Sequence, residues 1–343
     1  MSKQMVAQNS YRLGPMAVEP GKVGHGYLEV GEFPNGERIK VPIIVIHGSR
    51  VGPRFWIEAC IHGDEYDGTI ALLNLSTKIR AQDLSGTLVL VPVLNIPGFF
   101  VFKRANPFDD IDMNRVFPGS SDGTFAEQYA HDVLQEVTRS ADYLIDIHSG
   151  GLDFKVCYWS IFEAAGGEVE EKSKRVAEAM LAPAPSKPPK ILWREEKEDP
   201  LLKNALFAAA SKRGVPSIIF EGLGGGQSEY VETGAQDKSV LTIEEGLLNV
   251  FKTLNMIDGH AMALESQYVT IKGLVIYPCN KGGIFRPLVK LGDKISKNQT
   301  IATLTSLLGD VRDVKSSLDG IVLGIRVYPV VAPGMWIFEL GKL

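Results

Sequence analysis

The sequence predicts an α/β domain followed by a small all-β unit, and three observations carry the prediction. Strand-like apolar runs alternate with helix-period segments between residues 54 and 254, the pattern of a sheet whose parallel neighbours are joined by helical crossovers. Polar residues able to do chemistry stand directly after three of those runs, at the strand ends where such sheets place their sites. From about residue 268 the helical period disappears, and short strands separated by glycine-containing turns indicate a small barrel or sandwich.

In chain order, 27–31 and 39–47 read as a β-rich lead-in that occupies residues 1–50. Strand 55–61, helix 69–79, strand 87–94, helix 125–139 and strand 143–147 then alternate. A strand at 154–160 and a charged amphipathic helix at 168–180 lead to a link over 182–189, whose Pro183, Pro185, Pro188 and Pro189 exclude a helix. Helix 201–213, a short buried strand at 216–220 and helix 241–254 complete the α/β part. With the boundary at 261–267, the main domain spans 51–260 and the β unit 268–343.

Composition narrows the partners. A net charge of -5 with scattered lysines and arginines offers no basic field for a nucleic acid. Three widely spaced cysteines, Cys60, Cys157 and Cys279, argue for a reducing, cytoplasmic setting, and the first residues have no apolar core of signal-peptide length. The most apolar stretch, 87–102, is broken by Pro92, Asn95 and Pro97 and reads as a buried strand and loop, so no membrane partner is expected.

The chemistry lies in His62-Gly63-Asp64-Glu65, Asp146-Ile147-His148 and Glu221. Two imidazoles and a carboxylate are the ligand set of a hydrolytic zinc ion, and a second glutamate beside it is the base such an ion needs. Each piece alone also has a plain reading: a helix-capping turn for the first, a hydrogen-bonded histidine for the second, and a buried salt-bridge partner for Glu221. Asp146, two residues before His148 on the same side of its strand, is suited to orienting it. Cys60 is an alternative ligand two residues before His62, whereas His25, His47, His131 and His260 lack matching partners. The glycines at 222–226 are not followed by the Lys-Ser/Thr of a phosphate loop, which excludes nucleotide binding on that motif. Between the first two pieces, Arg104, Asn114 and Arg115 lie in an irregular segment; Arg115 offers a planar fork for a carboxylate, Asn114 an amide donor, and Arg104 a group able to polarise a carbonyl.

Together these residues make the chain resemble the succinylglutamate desuccinylase/aspartoacylase family, relatives of the zinc carboxypeptidases, over about 55–254 and the C-terminal unit. The resemblance implies a mixed sheet flanked by helices and one zinc ion per chain held by His62, Glu65 and His148. It implies Glu221 as general base and acid, Asn114 and Arg115 as the grip on the substrate carboxylate, and Arg104 as the oxyanion-stabilising arginine. The substrate it implies is a small N-acyl amino acid or related compound, cleaved at its amide. The C-terminal segment resembles the biotinyl/lipoyl carrier fold, but its turn at 305–310 has no lysine to modify, so an unmodified barrel that caps the site or builds a homo-oligomer contact is expected. The competing readings are a carboxypeptidase for short peptides and a metal-binding scaffold without catalysis; Glu221 disfavours the scaffold, since a structural site closes zinc with four protein ligands. Tyr158, Trp159, Trp193 and Tyr230 are candidate specificity residues.

Overall fold

The computed structural model describes residues 9–196, 199–225, 238–265 and 267–343. A hairpin of β1 (Tyr11–Leu13) and β2 (Met16–Val18) precedes a nine-stranded mixed sheet. Its strands are β3 (Lys22–Glu32), β4 (Arg38–His47), β5 (Arg50–Ala59), β6 (Ser85–Val91), β7 (Tyr143–Ser149), β9 (Trp159–Glu163), β10 (Lys190–Glu195), β11 (Ser217–Gly222) and β12 (Tyr268–Thr270), with β8 (Phe154–Val156) belonging elsewhere. They lie in the order β12-β10-β9-β11-β7-β5-β6-β4-β3. The centre is parallel, β11 with β7, β7 with β5 and β5 with β6. Antiparallel pairs flank it, β9 with β11 on one side and β4 with β6 and β3 on the other.

Alternation along the central strands decides which helices cover which face. In β5, Phe55, Ile57 and Ala59 join the core beneath α1 (Asp67–Lys78), α4 (Gly167–Leu181) and α6 (Lys238–Thr253). Trp56 points the other way, into the core beneath α3 (Phe125–Ser140) and α5 (Leu206–Lys212). Helix α3 begins where Thr124 and Glu127 form a capping box, which satisfies two backbone donors that would otherwise be orphaned. The short α2 (Ile96–Phe100) is capped by Asn95.

Several expected boundaries shift. The lead-in is no separate layer, because β3 and β4 extend the main sheet. The expected strand at 154–160 is two strands in different sheets, β8 and β9. Helix formation in 201–213 begins only at Leu206, after a turn, and β10 follows the proline-rich link where no strand was expected. Tyr268–Thr270 pairs in parallel with β10, so this first C-terminal strand closes the edge of the main sheet.

The remaining strands form two small antiparallel sheets. One contains β13 (Gly273–Pro278), β20 (Trp336–Lys342), β18 (Gly320–Arg326) and β15 (Lys294–Ile295); the other contains β17 (Val311–Lys315), β16 (Thr300–Thr305), β14 (Gly283–Pro287) and β19 (Val330–Val331). Phe285, Ile301 and Leu304 from one meet Val322, Ile337 and Phe338 from the other in a shared core. Strand β8, which follows β7 by a short loop, pairs with β18, and the Arg326–Asp153 ion pair at 2.7 Å reinforces this junction. Among the described residues no helix is long and apolar enough to cross a membrane.

Candidate active site

Three adjacent parallel strands deliver the polar cluster. β7 ends with His148 and Ser149, β11 places Glu221 in register with His148, and β5 runs into the turn that carries His62 and Glu65. That turn is tight: Cys60 adopts a positive φ of 59°, and the Glu65 amide donates to the His62 carbonyl at 3.2 Å. A Cβ built on Gly63 would lie 2.1 Å from the Gly98 carbonyl carbon, so only glycine lets the turn approach α2 this closely. Asn95 braces the contact, donating to the Ile61 carbonyl and accepting from the Gly98 amide, both at 3.0 Å.

The ligand atoms of His62, Glu65 and His148 all lie within 4.8 Å of one another, and the three residues are buried. Glu65 is 2.7 Å from Nδ1 of His62 and 3.0 Å from Nδ1 of His148, and the two Nδ1 atoms are 3.1 Å apart. Behind each ring stands another carboxylate: Asp112 lies 3.2 Å from Nε2 of His62 and Asp146 2.9 Å from Nε2 of His148. A carboxylate at Nε2 fixes the ring and leaves Nδ1 as the electron-pair donor, the arrangement found around metal-bound histidines. The group could therefore hold a single metal ion. Cys60 does not join it; its thiol is buried and pushed up, by burial first.

Electrostatics fit a cation at the point of convergence. Burial alone would raise Glu65, yet the His62 and His148 rings hold it below the ordinary carboxylate range. Burial would lower His148, but Asp146 and Glu65 on either side outweigh it and push its pKa well above the usual histidine range. Two close-facing nitrogens and a carboxylate are a donor set suited to sharing a metal ion. Behind Asp146, the fully buried Glu58 is raised well above its ordinary value by burial and by the facing Asp146 charge.

Arg104 reaches Glu65 at 3.3 Å and Asp112 at 3.0 Å, and its guanidinium lies over the Trp336 ring, 5.8 Å from the centroid. Burial would raise Asp112, yet Arg104, His62 and Arg115 together hold it well below its usual range. Arg115 is paired less closely, with Nη2 3.8 Å from Asp112 and Nη1 donating to the Asn114 carbonyl. Asn114 is almost wholly committed: its side-chain oxygen accepts from the Leu206 amide at 2.8 Å, and its amide nitrogen sits 3.2 Å from Nε2 of His148. Glu221 faces the same space, its pKa pushed up to about 8 by burial.

His62, Glu65, Arg104, Asn114, Arg115, His148 and Glu221 all line one cavity of about 560 Å³, whereas Asp146 and Cys60 do not. Trp159 and Trp193 also line it, whereas Tyr158 is buried against Phe220 away from it and Tyr230 lies outside the described residues. The sequence did not reveal Asp112 as the partner of His62, nor Trp336, Glu339 and Arg326, which the C-terminal sheets bring to the cavity wall. For Asn95 a signal exists in the cap-like Asn-Ile-Pro sequence.

Residues 51–253 match the model of the succinylglutamate desuccinylase/aspartoacylase catalytic domain. The chain belongs to this family. It is 28% identical over 291 residues to the N-alpha-acetyl-L-2,4-diaminobutyric acid deacetylase of Halomonas elongata, which covers 83% of this chain and 80% of that protein. Among solved structures it superposes with a TM-score of 0.77 on the product-bound ectoine utilization protein EutE of Ruegeria pomeroyi, at 23% identity over 94% of this chain and 95% of that one. A succinylglutamate desuccinylase of Silicibacter sp. TM1040 gives the same TM-score at 22% identity, covering 99% and 98% of the two chains. These likenesses in fold extend through the C-terminal sheets, beyond the residues that the family model matches. The mixed sheet with helices on both faces is the architecture the resemblance implied.

Proposed function

We propose that the protein is a zinc-dependent deacylase that hydrolyses the amide of a small N-acyl amino acid, with His62, Glu65 and His148 as the metal ligands. The observation that carries this reading is the convergence of these three residues with a carboxylate behind each imidazole, beside a second glutamate, Glu221, in register with His148. Membership of a family of deacylases and the similarity to a deacetylase support it. Zinc bound there would acidify water and polarise the acyl carbonyl.

Glu221 takes the proton from the attacking water and returns it to the leaving amine, a task suited to a carboxyl whose burial raises its proton affinity. Arg104, steadied by Asp112 and Trp336, donates to the oxygen that becomes negative as the carbonyl is attacked. Arg115 receives the carboxylate of the amino acid; Asn114, fixed by Leu206, contributes by positioning the backbone carbonyl that orients Arg115. A cavity of about 560 Å³ is of the size that takes a small molecule.

Arg104→Ala, assayed at saturating zinc because Arg104 also touches Glu65, should lower kcat by about 10²–10³ while zinc remains bound. Unchanged turnover would remove Arg104 from the reaction. The reading as a whole is tested by metal analysis of the purified protein, followed by a screen of N-acetyl and N-succinyl amino acids beside short peptides. We expect acyl amino acids to be cleaved, a chelator to stop cleavage and zinc to restore it. Zinc binding without hydrolysis of any acyl amino acid would sink the deacylase reading, and preferential cleavage of peptides would replace it with a peptidase.

A further inference from the structure

The lining of the cavity is sorted by element. Its charged side chains come from the ligand turn, the 104–115 segment, the ends of β7 and β11, Asp153, and β18 and β20. Among the described residues, the side chains added by β9, β10, β13 and the turn before α5 are all apolar.

Register sets this apolar floor next to the proposed base. Trp159 of β9 pairs with Glu221 of β11, and Ile161 with Ile219; directly paired residues point to the same face of a sheet. On β10, Trp193 pairs with Ile161, and its indole stacks on that of Trp159 with ring centroids 6.3 Å apart. These side chains are buried, and Leu274 of β13 packs against the same cluster. The Trp159 indole N–H is shielded and has no acceptor, so it is a neutral donor that supplies no counter-ion. Glu339 belongs to the charged end: burial pushes its carboxyl up to about 7, and the charges acting on it are Arg104, Glu65 and Arg115.

The carboxylate grip is tied to this floor. Leu202 is buried in the cluster with the two indoles, and further along the same segment the Leu206 amide holds Asn114, whose carbonyl orients Arg115. An amino acid gripped by Arg115 and cleaved beside Glu221 has its carboxylate and its nitrogen on one carbon. The side chain on that carbon therefore leaves beside both, where the floor adjoins them.

We propose that the stacked indoles of Trp159 and Trp193, with Leu202 and Leu274, form the side-chain subsite, and that the preferred substrates are N-acyl amino acids with a bulky apolar side chain, aromatic or branched. This rests on the deacylase reading and names the substrate class within it. A charged side chain placed there would lose its water with no partner to replace it, so acidic and diamino substrates are disfavoured.

The test measures kcat/KM of the zinc-loaded wild type on the N-acetyl derivatives of alanine, leucine, phenylalanine, aspartate and 2,4-diaminobutyrate, and on N-octanoylalanine. The leucine and phenylalanine compounds should exceed N-acetylalanine by about tenfold or more, the discrimination an apolar pocket gives for added carbon. The two charged compounds should fall below N-acetylalanine. Leu274→Trp, which fills the subsite from β13, should bring the preference for large side chains towards unity. Ile276→Phe, a smaller addition on the same strand, gives the same reading if the first variant does not fold. Calorimetry on the free amino acids should show phenylalanine binding more tightly than alanine in wild type and not in the filled variants. Equal rates across side chains, a preference for a charged one, or an unchanged preference in both variants would overturn the subsite and leave the deacylase standing. N-octanoylalanine cleaved in preference to N-acetylleucine would give the floor to the acyl group and overturn it likewise. If nothing is hydrolysed, the deacylase reading falls and the calorimetry alone decides: equal binding of phenylalanine and alanine overturns the subsite, and tighter binding of phenylalanine supports it.

Discussion

Glu221→Gln should retain its metal and lose about 10²–10⁴ in kcat, the usual worth of a positioned general base and acid. The substitution keeps size and polarity but cannot accept a proton from water. Metal content and kcat measured on the same preparation check this; a variant that turns over at the wild-type rate would place the base elsewhere. The same variant makes a second prediction in the metal-free protein. Glu221 has its folded pKa raised by burial to about 8, from 4.5 for the free group. Its contribution to stability is thus fully present below about pH 4.5 and is lost as pH rises through about 8. Glutamine has no such titration. Wild type and variant should melt together near pH 4.5, and the variant should melt higher at pH 9; a difference that does not grow with pH would contradict the burial argument.

Gly63→Ala should be the most damaging substitution that touches no proposed catalytic group. The new methyl would lie 2.1 Å from the Gly98 carbonyl carbon and 2.4 Å from the Phe99 amide nitrogen. Both are backbone atoms of α2, so no rotamer change can relieve the clash, and the turn that carries His62 and Glu65 must move. Overpacking typically costs roughly 1–3 kcal/mol. Displacing two ligands of one ion should lower zinc affinity by about 10–100-fold, comparable with the loss of an orienting partner. A zinc titration with a competing chelator and a thermal melt would measure both, and wild-type affinity would show that the turn tolerates a shift of this size.

The convergence of the three polar pieces was legible because each follows a strand whose apolar run marks its own end, and parallel neighbours bring such ends together. Arg104, Asn114 and Arg115 were legible as residue types, and the structure brings them to the same cavity. Asn114 illustrates what spacing does not carry: its amide oxygen is taken by Leu206, ninety-two residues onward, and no local pattern announces that bond. The antiparallel pairing of β9 was equally hidden, because a buried strand has the same apolar texture whichever way it runs. Glu339 and Trp336 come to the site from a unit that β8 joins by pairing with β18, and a three-residue strand has too little periodicity to read.

That pairing has a thermodynamic consequence. β7 ends on the loop after His148, and the chain then enters β8, so one short stretch is anchored at one end in the ligand cage and at the other in the C-terminal unit. Occupancy of the cage and seating of that unit are therefore two equilibria sharing a backbone. Linkage makes any influence between them reciprocal: whatever factor a seated unit adds to ion affinity, a bound ion returns to the seating.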